Sequence, residues 1–245
     1  MIEGIYNYCD RWCERCEFTK QCANFKIYRT HFPDNEDLNI NNQRFWEKLH
    51  KIFDQTLKMI KEKAIEQGID LESIDFDLAK NKEDVYHSKA KKFEITELSE
   101  VYINLVSSWF DRSNDSFKEL AEDYKIKDEL GLPILDSNKD IDELNNIVDV
   151  IQWYQHQIQV KIMRALMGKL EDNNTGENDF PNDSDGSAKV ALIGIDRSIS
   201  AWGKMLLYLP DKEDDLLKIL VLLEQLRRKT EKVFPNARRP GFDTT

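Results

Sequence analysis

The sequence predicts an all-α protein: an up-and-down bundle of four or five long helices, preceded by a small N-terminal segment that gathers every cysteine. Three observations predict it. Apolar residues recur every three or four positions through most of the chain, the spacing of a buried helical stripe. Only 9 Gly and 6 Pro occur in 245 residues, too few for the tight turns of an all-β chain. Hydrophobic residues make up 40% and charged residues 33%, the balance of a helix-rich chain with a solvated surface. The length supports a sizeable core in one or two domains.

All 4 cysteines fall between positions 9 and 22. The run reads Cys9-Asp10-Arg11-Trp12-Cys13-Glu14-Arg15-Cys16, then Glu17-Phe18-Thr19-Lys20-Gln21-Cys22, a C-x3-C-x2-C-x5-C spacing. A soft metal takes thiolates packed around one point, and a compact tetrad supplies them. Residues 1–32 therefore read as a metal-binding module with Cys9, Cys13, Cys16 and Cys22 as ligands. If the segment is helical, Cys9, Cys13 and Cys16 share one face, and Cys22 closes the site from the following loop. That arrangement suits an iron–sulfur cube, which is wider than a single ion. Structural zinc usually takes two short knuckles, and only Cys13–Cys16 has knuckle spacing. Four ligands in a short run can also wrap one zinc. Spacing leaves an iron–sulfur cluster and zinc both open. Trp12 and Phe18 are placed to shield a cluster, and Arg11 and Arg15 to offset its negative charge.

Two other readings are weaker. The C-x3-C-x2-C subset is also that of radical-SAM enzymes, but those stand on an α/β barrel, and no strand–helix alternation follows here. Two disulfides would need an oxidising compartment. Met1-Ile2-Glu3-Gly4 has no basic start, apolar core or cleavage site of a secretory signal, so a cytoplasmic setting is expected. The run from Tyr8 to Cys16, with Thr19 and Cys22, resembles the opening of a family of uncharacterised bacterial proteins. The resemblance is confined to this segment. It implies a bacterial, intracellular setting and a shared site, with no established activity.

The helices follow in order, over a bundle domain expected at 40–245. Asn41 or Asn42 caps the first, whose stripe is Trp46, Leu49, Phe53, Leu57, Ile60 and Ala64, with Gly68 at its end. Residues 69–81 form an acidic connector, and a short helix is expected around Lys82 to Lys92. Thr96 caps the next, with Leu98, Tyr102, Leu105 and Trp109 buried. Asn114 caps a further short helix to Tyr124, and Gly131-Leu132-Pro133 breaks the chain. The longest helix runs from about Asp140 to Leu170, with a heptad-like seam that contains one polar member, Gln155. The loop 171–186, rich in Asn, Asp and Gly, reads as a mobile acidic linker. Ser187 to Leu209 is the most apolar helix, yet Asp196, Arg197 and Lys204 argue for a buried core helix over a membrane span. Gly194 and Gly203 within it each cost about 1 kcal/mol relative to Ala, so a close neighbour is expected at both. The last helix, Lys212 to Phe234, has the seam Leu216, Ile219, Leu223 and Leu226.

Three further constellations bear on function. A polar pocket is expected between the two longest helices, lined by Gln152, Trp153, His156, Lys161, Arg164, Lys189, Asp196, Arg197 and Ser200. Its mixed acid, base and aromatic groups suit an anionic or cofactor-like molecule. The competing reading is an interhelical salt-bridge network, which perturbs charges as an active site does. Glu47 and His50 form an E-x-x-H on a helix, the spacing of di-iron bundles, but Asp84 and His87 are the only near-match and the ligand count is incomplete. The C-terminal residues Arg227, Arg228, Lys229, Lys232, Arg238 and Arg239 are basic against a net charge of -11. That overall charge disfavours nucleic-acid coating, which needs a basic face. No nucleophile triad, phosphate loop or dinucleotide fingerprint is present. Whether the chain is an enzyme stays open. The candidate partners are a protein or a small molecule, with no membrane and with nucleic acid disfavoured. Two function classes remain: a metal-cluster protein linked to electron handling, and a scaffolding module pinned by structural zinc.

Overall fold

The computed structural model describes residues 9–34, 37, 39–73, 75–130, 137–175 and 183–238. Among them every regular element is helical and no strand occurs, as the periodicity predicts. No helix of the described residues is long and apolar enough to cross a membrane. The chain divides into two compact units, Met1–Asp84 and Val85–Thr245. Within the first unit, the Phe32 ring sits 6.0 Å from Phe45, and Lys48 pairs with Asp37. These contacts join the stretch after the helix Ala23–His31 to the helix Gln43–Glu66.

The first unit holds two complete helices, α1 (Ala23–His31) and α2 (Gln43–Glu66). Asn42 caps α2, its Oδ1 accepting from the Arg44 N–H at 3.1 Å. Gly68, at φ 68°, ends the helix in the left-handed conformation that glycine adopts without a Cβ clash. The stripe expected to be buried is open: Trp46, Phe53, Leu57 and Ile60 are all exposed. Helix α3 (Phe76–Ala90) starts earlier than the sequence suggests. Asp75 sets that start by accepting from the Leu78 N–H at 2.8 Å.

The second unit is a four-helix bundle of α4 (Glu94–Glu129), α5 (Ser137–Thr175), α6 (Asp183–Tyr208) and α7 (Glu213–Val233). Each helix packs on two others, in the closed order α4, α5, α6, α7 and back to α4. Side-chain pairs give the directions. Gln159 reaches Glu100 while Gln155 reaches Ser107, so α4 and α5 run antiparallel. Arg164 meets Asp183 while Glu143 meets Lys204, so α5 and α6 do too. Lys229 meets Glu94 while Arg112 meets Asp215, which makes α4 and α7 antiparallel and fixes the up-down-up-down order.

The seams supply most of the core, though Leu98 and Leu105 of α4 are only half-buried. Tyr102, Trp109, Ile151, Ile158, Ile162, Leu192, Ile195, Trp202, Leu216 and Leu223 are essentially inaccessible. Burial of each large side chain contributes about 1.5–3 kcal/mol. At its centre Trp109 and Trp202 meet edge to face, with ring centroids 4.9 Å apart. The Trp202 indole N–H donates to the Tyr102 hydroxyl at 3.2 Å. Burial pushes the Tyr102 hydroxyl up to about 12, against hydrogen bonds from Ser198 and Trp202 that pull it down.

Three expectations are corrected here. Asn114 does not cap a new helix: α4 runs through it to Glu129. The helix-breaking tendency of Asn is outweighed there by tertiary contact, since Phe117 packs edge to face on Trp109 at 5.8 Å. Thr96 is no cap either; α4 starts at Glu94, and the buried Thr96 hydroxyl donates back to the Ala90 carbonyl at 2.8 Å. The expected linker 171–186 is helical at both ends, since α5 extends to Thr175 and α6 starts at Asp183. Its middle, 176–182, lies outside the described residues, as does the break at 131–133. Ser184 explains the early start of α6: its hydroxyl donates to the Ala165 carbonyl at 2.7 Å, tying the first turn to α5.

The two glycines of α6 differ. A Cβ on Gly194 would sit 2.8 Å from Tyr154 Cδ1 and 3.1 Å from Ile158 Cγ1, so α5 and α6 approach closely only because no side chain is there. A Cβ on Gly203 would meet nothing within 4 Å, so the expected close neighbour is missing. Gly194→Val is therefore expected to destabilise the bundle by about 1–3 kcal/mol through overpacking. Gly203→Ala is expected to stabilise it by up to about 1 kcal/mol. Denaturant unfolding of both variants checks the pair, and equal shifts in one direction would contradict it.

Candidate metal centre

The cysteine segment is not one helix. It consists of two short 3-10 turns, Cys13–Arg15 and Thr19–Gln21, followed by α1. The conditional picture of three thiols along one helical face is thus replaced. The two turns share a design: each closes with a backbone bond into the cysteine that ends it, Cys16 N to Cys13 O at 3.2 Å and Cys22 N to Thr19 O at 3.3 Å. Both closing cysteines then have nearly the same extended backbone, φ -90° with ψ 122° at Cys16 and ψ 119° at Cys22.

The four thiols are partly buried, and none is in a disulfide. Burial raises the Cys13 thiol above its ordinary value, and Cys9, Cys16 and Cys22 add to the rise. Burial also raises Cys9, with Cys22 contributing in the same direction. Two backbone N–H groups point at sulfur. The Arg11 N–H bonds to Cys9 and opposes its rise, and the Phe25 N–H donates to Cys22 Sγ at 3.5 Å. Arg11 holds φ 60°, the one positive value among described non-glycine residues. That conformation costs about 1–2 kcal/mol for an L-residue, and here it coincides with the turn of an N–H toward a thiol. Backbone N–H groups aimed at sulfur are a device by which proteins stabilise thiolates and tune bound metals. Arg15 lies over the Trp12 ring, 3.9 Å from its centroid, and Trp12 is 9% exposed. Among the described residues, no group of three or more His, Cys, Asp and Glu side chains is gathered as a formed metal-binding group.

Sequence reasoning missed α1 and what it brings. Cys22 is its N-cap, and Tyr28 lies near enough to Cys13 and Glu14 for both to raise its hydroxyl, after burial as the main cause. The spacing of Phe25, Tyr28 and Phe32 is the signal that marks this helix.

The nine residues of the expected interhelical pocket are distributed among separate contacts. Gln152, Trp153, His156 and Arg164 on α5 are exposed, as are Arg197 and Ser200 on α6. Lys161 is partly buried and Lys189 buried. Asp196 turns to the C-terminal tail: Arg238 binds it with two nitrogens at 2.9 and 3.2 Å, and Arg227 lies 3.6 Å away. Arg164 pairs with Asp183, and Arg197 donates to the Tyr154 hydroxyl. Of these pairs only Arg164 to Asp183 and Arg197 to Tyr154 run between α5 and α6. Gln155, the polar seam residue, faces α4, donating to the Ile103 carbonyl at 3.0 Å and to Ser107 at 2.8 Å.

The E-x-x-H motif has a local role, since Glu47 accepts from Gln43 at 3.0 Å. The C-terminal basic run is largely used within the bundle: Arg227 and Arg228 bind Glu224, Lys229 binds Glu94, and Arg238 binds Glu231. Arg239 lies outside the described residues. Because Asp196 and Arg238 are both more than a third exposed on their side chains, Asp196→Ala is expected to cost no more than about 1 kcal/mol. Thermal unfolding at low and high salt checks this, and a loss several times larger would show that the pair is not solvent-screened.

No protein-family model, no curated protein and no solved structure matches the chain.

Proposed function

We propose that the protein binds metal through Cys9, Cys13, Cys16 and Cys22, as an iron–sulfur cluster or a zinc ion, and that the cluster form links it to electron handling. The observation that supports this most is that all four half-buried thiols, free of disulfides, fall in one short stretch of sequence, with backbone N–H groups directed at Cys9 and Cys22. The donor chemistry fits: all-thiolate sets select zinc and iron–sulfur clusters. A bound cluster would supply one-electron chemistry, and a bound zinc would supply a cross-link. This chain's own residues would provide the thiolates, the N–H donors and the Trp12–Arg15 cover.

The second reading is a non-enzymatic scaffold in which zinc pins the N-terminal turns. What supports it is that Asp196 and Arg164 are engaged in ion pairs within the chain, Asp196 with Arg238 and Arg164 with Asp183. Visible absorption of anaerobically purified protein separates the two. Broad charge-transfer bands with acid-labile sulfide support the cluster, and a colourless protein with one zinc per chain supports the scaffold.

A further inference from the structure

We propose that the residues after α7, 234–238, form a hinged strap that closes over the buried Thr230 hydroxyl, is latched by the Arg238–Asp196 pair, and opens as salt screens that pair. The inference is independent of the cysteines and concerns a conformational device of the bundle.

Thr230 lies in the last turn of α7 and is fully buried. Its hydroxyl has no hydrogen-bond partner among the described residues. Burying a hydroxyl without a partner is unfavourable, so the closed state carries a cost that access to water relieves. The helix ends one turn later, where the Phe234 N–H donates to the Thr230 carbonyl at 2.9 Å. A helical side chain leans over the turn before its own Cα, which directs Phe234 back toward Thr230. Phe234 is 2% exposed and Ala237 3%. A tight turn links them, the Ala237 N–H donating to the Phe234 carbonyl at 3.1 Å. Lys169 of α5 holds the near end of the strap. Its ammonium donates to the Val233 carbonyl and lies 5.1 Å from the centre of the Phe234 ring.

The far end is held by charge. Arg238 forks onto Asp196 of α6 at 2.9 and 3.2 Å and reaches Glu231 at 2.6 Å. The Asp196 and Arg238 side chains are 36% and 43% exposed, so salt screens the latch. Opening needs only this fork and the Phe234–Ala237 plug to come away, a local event that leaves α4 to α7 folded. A solvent-screened latch thus closes an apolar plug over a buried hydroxyl that water would satisfy.

The test is alkylation of Thr230→Cys in the whole 245-residue chain, with modification at position 230 read by peptide mass mapping so that the native cysteines do not interfere. Ser113→Cys is the reference. Ser113 is 1% exposed and lies beside Arg112, which meets Asp215 at the opposite end of α7. Labelling at 230 is expected to rise on the order of tenfold from low salt to about 1 M NaCl. Adding Asp196→Asn at low salt is expected to give a similar rise, with labelling at 113 unchanged in both cases. Amide exchange at Phe234 and Ala237 in the wild-type chain reads the same opening without the introduced cysteine, and it is expected to quicken in parallel. Labelling at 230 that neither salt nor Asp196→Asn moves would overturn the strap, as would amide exchange indifferent to both. Equal increases at 230 and 113 would overturn it too, since they would report unfolding of the whole bundle.

Discussion

Cys13→Ser and Cys16→Ser are each expected to lose the bound metal while the helical bundle stays folded. Structural zinc sites bind with about 10–16 kcal/mol at neutral pH, so one of four ligands carries roughly two orders of magnitude or more in affinity. The two residues flank a single 3-10 turn, and their extended and turn conformations are ones that serine adopts equally well. The change is therefore chemical, a soft sulfur replaced by a hard oxygen, with little backbone disturbance. The helices α4 to α7 lie in a compact unit separate from the cysteines, so their thermal transition should stay within a degree or two of wild type. Elemental analysis beside circular dichroism reads both quantities. Unchanged metal content in both variants would remove these cysteines from the site.

Trp202→Ala is expected to have the largest effect on folding. Trp202 is fully buried, meets Trp109 edge to face at 4.9 Å and gives its N–H to Tyr102. Deleting a buried Trp costs about 3–5 kcal/mol, from lost transfer energy and the cavity left behind. For a unit of this size that lowers the midpoint by on the order of 10 °C. The substitution also leaves the buried Tyr102 hydroxyl without one of its donors, which adds to the loss. Trp153→Ala on α5 is the contrast: Trp153 is 37% exposed, so its loss should cost about 1 kcal/mol or less. Similar midpoints for the two variants, followed by circular dichroism, would contradict the placement of the core.

The bundle was legible because its signal is repetitive. Leu192, Ile195, Trp202 on α6 and Leu216, Ile219, Leu223 on α7 repeat at the helical period, and all are buried. Asn42 and Gly68 punctuate α2 as their chemistry demands. What stayed hidden was decided by partners far along the chain. Gln155 looks like a flaw in a seam until Ser107, on another helix, supplies its acceptor. Asp196 looks like a pocket residue because its partner Arg238 sits in an irregular tail that no periodicity announces. Asn114 reads as a cap locally, and only the aromatic packing of Phe117 on Trp109 carries α4 past it.

At the site, residue identity was legible and conformation was not. Four cysteines in one short run stand out without any structure. The two 3-10 turns, the left-handed Arg11 and the start of α1 at Cys22 depend on single backbone angles, and side-chain periodicity does not encode those. The stripe on α2 shows the reverse failure. Its period is clear, yet Trp46, Phe53, Leu57 and Ile60 are exposed, because periodicity reports an apolar face and not what covers it.

The most direct test of the central claim is the metal content of the protein purified without oxygen and without added metal, as moles of metal and sulfide per chain. A site on Cys9, Cys13, Cys16 and Cys22 predicts either one zinc with no sulfide, or iron and acid-labile sulfide in equal amounts. Protein with neither metal nor sulfide, and with four thiols freely open to alkylation, would contradict it.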